Sequence, residues 1–373
     1  MNIKLICMII FSLSFILLII LIGIKPKPIQ TYELFNKVPI KIINKYKNNF
    51  DIVITWVDWS NKYFIKEMNK HGGYSQPTEY GEFKELKYLI RSLIKHNIHY
   101  RNIYIVYSDN HPPPKYLVKN DQRLVFIKHS QIAKNKNDIP LMHRETIIIN
   151  LHRIPGLLEN YFYVEDDMFI YNPNIFYKQL EFFENKKQIV FKTKIDETSP
   201  KDMSLWQLGR YNANNIFKKY TKHLNYMFWD DHNIWLFKKS IINEIEKKYT
   251  KYFNYTSSFQ NRKISKNKIL FYIGITNIYV NYLIYIKKFS PIMTPLLAHS
   301  IHTNSDKYQI KNNKISNNTL GRIKKDLNIY NNYMFGNIQG PGVSDEYHKI
   351  PEINRLVYKW LDKLYPNKSK FEI

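Results

Sequence analysis

Asn160-Tyr-Phe-Tyr-Val-Glu-Asp-Asp-Met-Phe-Ile170 is an apolar run that ends in three consecutive carboxylates and then turns apolar again. Tyr161 to Val164 reads as a buried strand, aromatic and β-branched and too short for a helix. Glu165, Asp166 and Asp167 stand where that strand leaves its sheet. In an open α/β sheet, ligands bind at the carboxyl ends of the strands. Packed carboxylates repel one another unless a cation or a substrate proton resolves the conflict. A solvated acidic turn explains one or two acids after a strand. Three acids followed at once by Met168-Phe169-Ile170 suit a half-buried site better.

The strands and helices around this stretch set the fold class. Asp51-Ile-Val-Ile-Thr-Trp-Val-Asp58 reads as a buried strand emptying into an Asp. Between Glu82 and Lys95, apolar Leu86, Leu89, Ile90, Leu93 and Ile94 follow the period of an amphipathic helix. Asn102 to Tyr107 is the next strand, ending at Ser108-Asp109, and Leu124 to Ile127 is another beyond a Pro112-Pro113-Pro114 loop. Ile147 to Ile154 reads as a helix feeding the acidic strand. This order predicts an α/β fold, a Rossmann-like, mostly parallel sheet flanked by helices. Asp58, Asp109 and Asp166-Asp167 would then line one rim. Beyond about residue 185 the pattern reads as mainly helical, with helices over Lys239 to Tyr249, Leu270 to Ile286 and Leu356 to Leu364. The predicted division is a Rossmann-like core over 51–185 and a helical, carboxy-terminal part over 186–373.

With 373 residues, 44% of them apolar, the chain can bury a substantial core, and wholesale disorder is excluded. The formal charge of +25 invites a nucleic-acid reading. Lys and Arg are nevertheless spread along the whole length, with no arginine-rich tract and no zinc-finger spacing, so no nucleic acid is expected. Abundant Lys, Asn, Ile and Tyr together are what AT-rich coding produces. Part of the charge can serve an anionic substrate or a membrane surface. After a short tail over 1–4, residues 5–24 form an apolar run long enough to cross a bilayer. Lys25-Pro-Lys-Pro28 follows directly where a cleavage site would be needed, which favours a retained signal anchor with a stem over 25–50. Sequons at Asn254, Asn317 and Asn367 are compatible with a lumenal body, a single-pass type II protein of the Golgi or secretory pathway. A bacterial-type, membrane-associated protein is the alternative. The only cysteine, Cys7, lies inside the predicted anchor, so there is no intrachain disulfide.

Trp56 beside Asp58 offers a flat face of the kind on which a nucleobase stacks, or else a core side chain next to a strand-end turn former. Strand-end acids such as Asp58, Asp166 and Asp167 suit a divalent ion, Mg2+ or Mn2+, on a diphosphate, because hard cations take oxygen ligands. No Walker loop and no GxGxxG turn is present. Arg153 can clamp a phosphate in bidentate fashion and His152 can bond a substrate hydroxyl; a satisfied structural histidine reads equally well. Asp230-Asp231-His232 suits a general base, or a helix cap.

These segments, in this order, resemble the Stealth family, which includes bacterial capsular-polysaccharide phosphotransferases and the catalytic subunit of lysosomal-enzyme N-acetylglucosamine-1-phosphotransferase. Asp51 to Asp58 looks like the first family block. Gly81 to Leu93, Arg101 to Val106, Leu151-His-Arg-Ile-Pro-Gly-Leu157 and Glu165-Asp-Asp-Met-Phe169 look like the second. His232 with the Lys239 helix, then Thr256 to Arg262, is similar to the third, and Gly340 to Tyr347 with Leu361, Pro366, Ser369 and Phe371-Glu372 to the fourth. The resemblance implies transfer of a sugar-1-phosphate from a nucleotide diphosphosugar to a hydroxyl of a glycan or glycoprotein acceptor, with release of nucleoside monophosphate. It maps the family's important acid, histidine and arginine onto Asp166-Asp167, His232 and Arg262, with a divalent metal. There are departures. A frequent family Glu is Ile148 here, with Glu145 the nearest acid; Lys266 and Asn267 stand where acids commonly follow the third-block arginine; and Cys-Ile-Asn-Asp reads Asn337-Ile-Gln-Gly340. A conventional glycosyltransferase releasing nucleoside diphosphate is the second reading, and a non-catalytic, basic, membrane-tethered binding protein the third.

Overall fold

The computed structural model describes residues 35, 37–58, 61–71, 84–118, 121–194, 203–220, 226–229, 233–259, 271–294, 298–302, 335–339 and 351–373. The chain forms two compact units, Met1–Lys37 and Val38–Ile373. The predicted tail over 1–4 and anchor over 5–24 lie outside the described residues. Among the described residues no helix is long and apolar enough to cross a membrane.

The second unit is built on a five-stranded sheet in the order β3-β2-β1-β4-β8. Its strands are β1 (Asp51–Trp56), β2 (Ile103–Tyr107), β3 (Leu124–Lys128), β4 (Asn160–Glu165) and β8 (Trp235–Lys238). The first four are parallel and β8 is antiparallel to β4. The central strands read as continuous apolar runs because both sheet faces are covered. Every residue of β2 and β4 is buried. The order β3-β2-β1-β4 is that of the first four strands of the doubly wound Rossmann arrangement, in keeping with the Rossmann-like, mostly parallel sheet that the sequence predicts.

Helices α1 (Ile40–Tyr46), α2 (Lys62–Lys70), α3 (Glu85–Lys95) and α4 (Arg144–Ile148) come before or between these strands. Helix α3 buries Leu86, Leu89, Ile90 and Leu93, the stripe read from the sequence. Helix α5 (Asn174–Glu184) sets Phe176 edge-on to Phe162 of β4 at 4.9 Å, and Phe162 in turn meets Phe50 at 5.3 Å. Tyr46 of α1 donates to Glu184 of α5, so residues 38–50, predicted as stem, are part of the compact unit. The helix predicted over Ile147 to Ile154 is instead α4 followed by a 3-10 turn, Leu151–Arg153. Three residues beyond it stands Gly156, whose φ of +74° few side chains tolerate, and whose carbonyl accepts from Arg101 at 2.6 Å.

The carboxy-terminal part is not the helical half the sequence suggested. Helices α6 (Leu205–Ile216), α7 (Lys239–Lys248), α8 (Thr250–Ser257), α9 (Ile275–Tyr285) and α10 (Pro351–Leu364) alternate with short strands. β6 (Lys187–Lys194), β7 (Tyr226–Trp229) and β9 (Ser290–Thr294) form one three-stranded sheet. β5 (Met168–Ile170), β10 (Ala298–His302) and β11 (Phe335–Gln339) form another. β8 completes the central sheet itself, so the core does not close at residue 185. Phe237 of β8 packs edge-on to Tyr279 of α9 at 4.9 Å, and Tyr279 accepts from the Lys238 amide at 3.0 Å.

The chain end is tied to the sheet's helical layer. The Arg91 guanidinium of α3 makes a bidentate pair with Glu372, Nε to Oε1 at 2.8 Å and Nη2 to Oε2 at 2.7 Å. Its remaining nitrogen donates to the Tyr365 carbonyl at 3.0 Å. The Val118 amide donates to the Phe371 carbonyl at 2.7 Å.

Candidate active site

Registers place the acids. Trp56 pairs with Tyr107 across β1 and β2, and Thr55 pairs with Glu165 across β1 and β4. Asp58 and Asp109 therefore stand two residues past matched positions, and Asp166 one past. All are on the carboxyl-end rim that the sequence predicts. Between β1 and β4 the strand order reverses, and that switch point is where open α/β sheets hold ligands. Asp58 flanks it on one side and Asp166-Asp167 on the other.

Asp166 and Asp167 are the two turn residues between β4 and β5. Val164 and Met168, Phe169 and Ile170 around them are wholly buried, whereas the two Asp residues are half-buried. A solvated acidic turn would not be fixed at both ends in this way. Glu165 has a different role. Its carboxylate accepts from Arg144 Nε and from the Tyr163 hydroxyl at 3.3 Å, and Tyr163 is bonded to Thr55 of β1 at 3.3 Å. Arg144 also donates to Glu145 at 2.7 Å, and Glu145 accepts from the Ile275 amide at 2.8 Å, in the first turn of α9. An acid at a helix amino terminus is favoured by the helix dipole. Glu165 thus links the acidic turn to α4 and α9.

Asp109 is held by Ser130, whose amide and hydroxyl both donate to its carboxylate. The Asp58 amide donates to His111 Nε2 at 3.3 Å. Trp56 departs from the stacking reading. Only 5% of it is exposed, and its ring meets the His111 ring edge-on at 5.1 Å, so no open face is available to a base. His152 and Arg153 depart from the ligand reading as well. His152 is buried and bonds Glu246 at 3.0 Å; Arg153 bonds Glu246 at 2.5 Å and Asn150 at 2.6 Å; Lys134 bonds Glu246 at 2.8 Å. Burial alone would raise the Glu246 carboxyl, but the bonds from His152 and Lys134 and the nearby Arg153 charge hold it at about 2. Burial outweighs that carboxylate at His152 and keeps the imidazole below its ordinary value. The structural histidine is the reading the geometry carries, since the ring is buried and its Nε2 is committed to Glu246.

Among the described residues no three His, Cys, Asp or Glu side chains converge to hold a metal. Asp58, Asp166 and Asp167 do not therefore make a resident metal site by themselves. The turn offers adjacent carboxylates, a donor set that suits Mg2+ when substrate phosphates and water fill its other positions.

His232 and Arg262 lie outside the described residues, and so do Asp230, Asp231 and Gly340 to Tyr347. The described residues that follow or precede them in the sequence, Trp235 and Phe259, have contacts on β4 and on His143. Trp235, the first residue of β8, pairs with Tyr163 near the carboxyl end of β4. Phe259 packs against His143 at 5.0 Å, next to the Arg144 that bonds Glu165. Helix α8, leading to Phe259, is anchored by Ser257, which donates to buried Asp138 at 2.8 Å and accepts from Asn150 at 3.1 Å. Sequence reasoning missed Arg144, His111 and Glu246. Their signal is weak: a cation, a histidine in a proline-rich loop and a helix acid, each common alone.

Residues 79–191 match the family model for Stealth protein CR2, conserved region 2. A capsular polysaccharide phosphotransferase, eps5J, of Streptococcus thermophilus is 30% identical over 145 residues, 37% of this chain and 58% of that protein. A capsular polysaccharide phosphotransferase of Neisseria meningitidis serogroup B is 32% identical over 146 residues, 36% of this chain and 38% of that protein. An exopolysaccharide phosphotransferase of Streptomyces coelicolor is 31% identical over 126 residues, 32% of this chain and 21% of that protein. The matched stretch thus spans between about a fifth and three fifths of these relatives' length. It covers α3, β2, β3, the buried turn at Leu151–Arg153, β4 and the acidic turn, the elements that build the rim. The part of the rim that carries Asp109 and Asp166-Asp167 is therefore similar to the second conserved region of Stealth proteins.

Proposed function

We propose that this chain is a sugar-1-phosphate transferase. It would move a hexose-1-phosphate, N-acetylglucosamine-1-phosphate among the candidates, from a nucleotide diphosphosugar such as a UDP-sugar to a glycan hydroxyl. The observation that carries the reading is the half-buried Asp166-Asp167 pair at the switch point, with described neighbours of His232 and of Arg262 packed beside β4 and its Arg144 brace.

The chemistry follows from what the groups can do. The acceptor hydroxyl loses its proton to Asp166, Asp167 or His232 as its oxygen attacks the β-phosphorus. A bond forms between that oxygen and phosphorus, the bridging phosphorus–oxygen bond breaks, and nucleoside monophosphate leaves with the electron pair. Arg262 offsets charge on the transferring phosphoryl group. Asp58 faces the donor diphosphate from β1. A divalent ion carried by the donor and held by Asp166-Asp167 would neutralise the diphosphate. His152 and Arg153 support the rim through Glu246 and do not touch donor. The names of the bacterial relatives favour a polysaccharide acceptor and a place in capsule or exopolysaccharide assembly. Attachment to a membrane rests on residues 5–24, and a Golgi setting on the sequons alone.

The test is incubation of the full chain with a panel of nucleotide sugars, Mg2+ and a polysaccharide acceptor. Release of nucleoside monophosphate, lost in Asp167→Asn and Arg262→Ala, is expected. Release of nucleoside diphosphate would point to a conventional glycosyltransferase. Full transfer by both variants would remove these residues from the mechanism.

A further inference from the structure

The loop after β2 carries a histidine with no part in the chemistry above and with both ring nitrogens in use. His111 is 5% exposed. Its Nδ1 lies 3.0 Å from the Pro112 carbonyl, which can only accept, so that nitrogen bears the hydrogen. Nε2 then holds a lone pair, and the Asp58 amide donates to it at 3.3 Å. Both contacts require the same neutral tautomer. Three aromatic rings fix the imidazole plane: Trp56 at 5.1 Å, Phe64 at 5.7 Å and Tyr107 at 6.0 Å. Trp56 ends β1, Tyr107 ends β2 and Phe64 is on α2, so rotation of the ring is blocked from three elements. Burial also disfavours the protonated form.

We infer that His111 is a positioning residue: it fixes the backbone at Asp58, and through it the donor side of the switch point, by bridging the loops after β1 and β2. The inference rests on the proposed role of Asp58 toward the donor diphosphate. It explains why the bridge is an imidazole. One flat group must present an acceptor to the Asp58 amide and a donor to Pro112 while filling an aromatic slot. A phenyl ring fills the slot and offers neither. A glutamine amide offers an acceptor and a donor at similar separation and loses only part of the packing.

Two measurements on the full chain, in His111→Phe and His111→Gln, separate the inference from the reading beneath it. The first is hydrogen exchange of the peptide spanning Val57 and Asp58, which needs no activity. Loss of one partly buried hydrogen bond is expected to raise exchange about tenfold in the Phe variant, with most protection kept in Gln. The second is turnover of UDP-N-acetylglucosamine with Mg2+ and a saturating polysaccharide acceptor, where the Phe variant should raise donor KM about tenfold with little change in kcat, and Gln should restore it. Unchanged exchange in His111→Phe overturns the inference. Raised exchange with unchanged donor KM keeps the contact and overturns the donor role of Asp58 on which the inference rests.

Discussion

The pair between Arg91 and Glu372 joins the helix of the second conserved region to the last residues of the chain, and its removal has a calculable cost. Both side chains are about nineteen-twentieths buried, at 7% and 5% exposure. An exposed pair would contribute about 0–1 kcal/mol. Here Arg91→Met leaves the Glu372 carboxylate buried with the Ser369 amide at 2.8 Å in place of the guanidinium fork. Breaking a buried pair from one side costs about 3–5 kcal/mol, because the abandoned charge has no compensation. Glu372→Gln should cost somewhat less, since an amide can still accept from Arg91. The double variant Arg91→Met, Glu372→Gln should be more stable than the sum of the two losses by about 2 kcal/mol. Burial alone would raise the Glu372 carboxyl, and the Arg91 bonds outweigh it and leave it below its ordinary value. The contribution is thus present above the unfolded value near 4.5 and lost as pH falls below it. Urea unfolding of wild type, both single variants and the double, at pH 7, measures the cycle. Additive losses, or single losses under 1 kcal/mol, would refute the account of how the chain end is held.

Other predictions concern the rim and its supports. His129 and His143 are buried, and burial pushes both imidazoles down to about 4 from 6.5. A depressed folded value means their contribution is full above pH 6.5 and fades toward pH 4, with roughly 2 kcal/mol lost per histidine at pH 5; unfolding at pH 7 and pH 5 checks it, and His143→Phe should flatten the dependence. Glu246→Gln should destabilise by about 2–4 kcal/mol, because His152, Arg153 and Lys134 lose their common carboxylate, and it should lower Tm together with activity. Gly209→Ala would set a Cβ 3.1 Å from the Gly274 amide and from the Tyr272 ring, a cost of about 1–3 kcal/mol readable as a lowered Tm. Asp167→Asn should cut transfer at least about a hundredfold with the far-UV circular dichroism unchanged, because an amide of the same shape fills the turn but cannot take up a proton.

The core of the fold was legible where local pattern and tertiary demand agree. β1, β2, β3 and β4 are apolar runs because both faces of a central parallel strand are covered, and α3 shows its stripe because only one face is. Legibility failed where pairing is long-range. Trp235 to Lys238 is too short to declare a strand, and its place beside β4 depends on Tyr161 and Tyr163 over seventy positions earlier. Ile147 to Ile154 has helical spacing, but Asn150 turns its side chain to Ser257 and to the Thr146 carbonyl, and the helix stops. On the rim, the position of the carboxylates was readable because they directly follow a buried strand where it leaves the sheet. Arg144 was not, since its meaning comes only from Glu165 and Glu145 on either side of it. Trp56 was misread for a related reason: an aromatic residue beside an acid fits a binding face and a packed core alike, and only His111 decides between them.

The claim on which the rest depends is that a phosphoryl group, and not a bare sugar, crosses the gap between Asp58 and Asp166-Asp167. A donor sugar nucleotide labelled with 32P at its β-phosphate, incubated with the enzyme and a polysaccharide acceptor, follows that group directly. The label is predicted to appear in the polysaccharide as a phosphodiester while unlabelled nucleoside monophosphate is released. Label recovered in free nucleoside diphosphate, with sugar but no phosphorus in the polymer, would contradict the account.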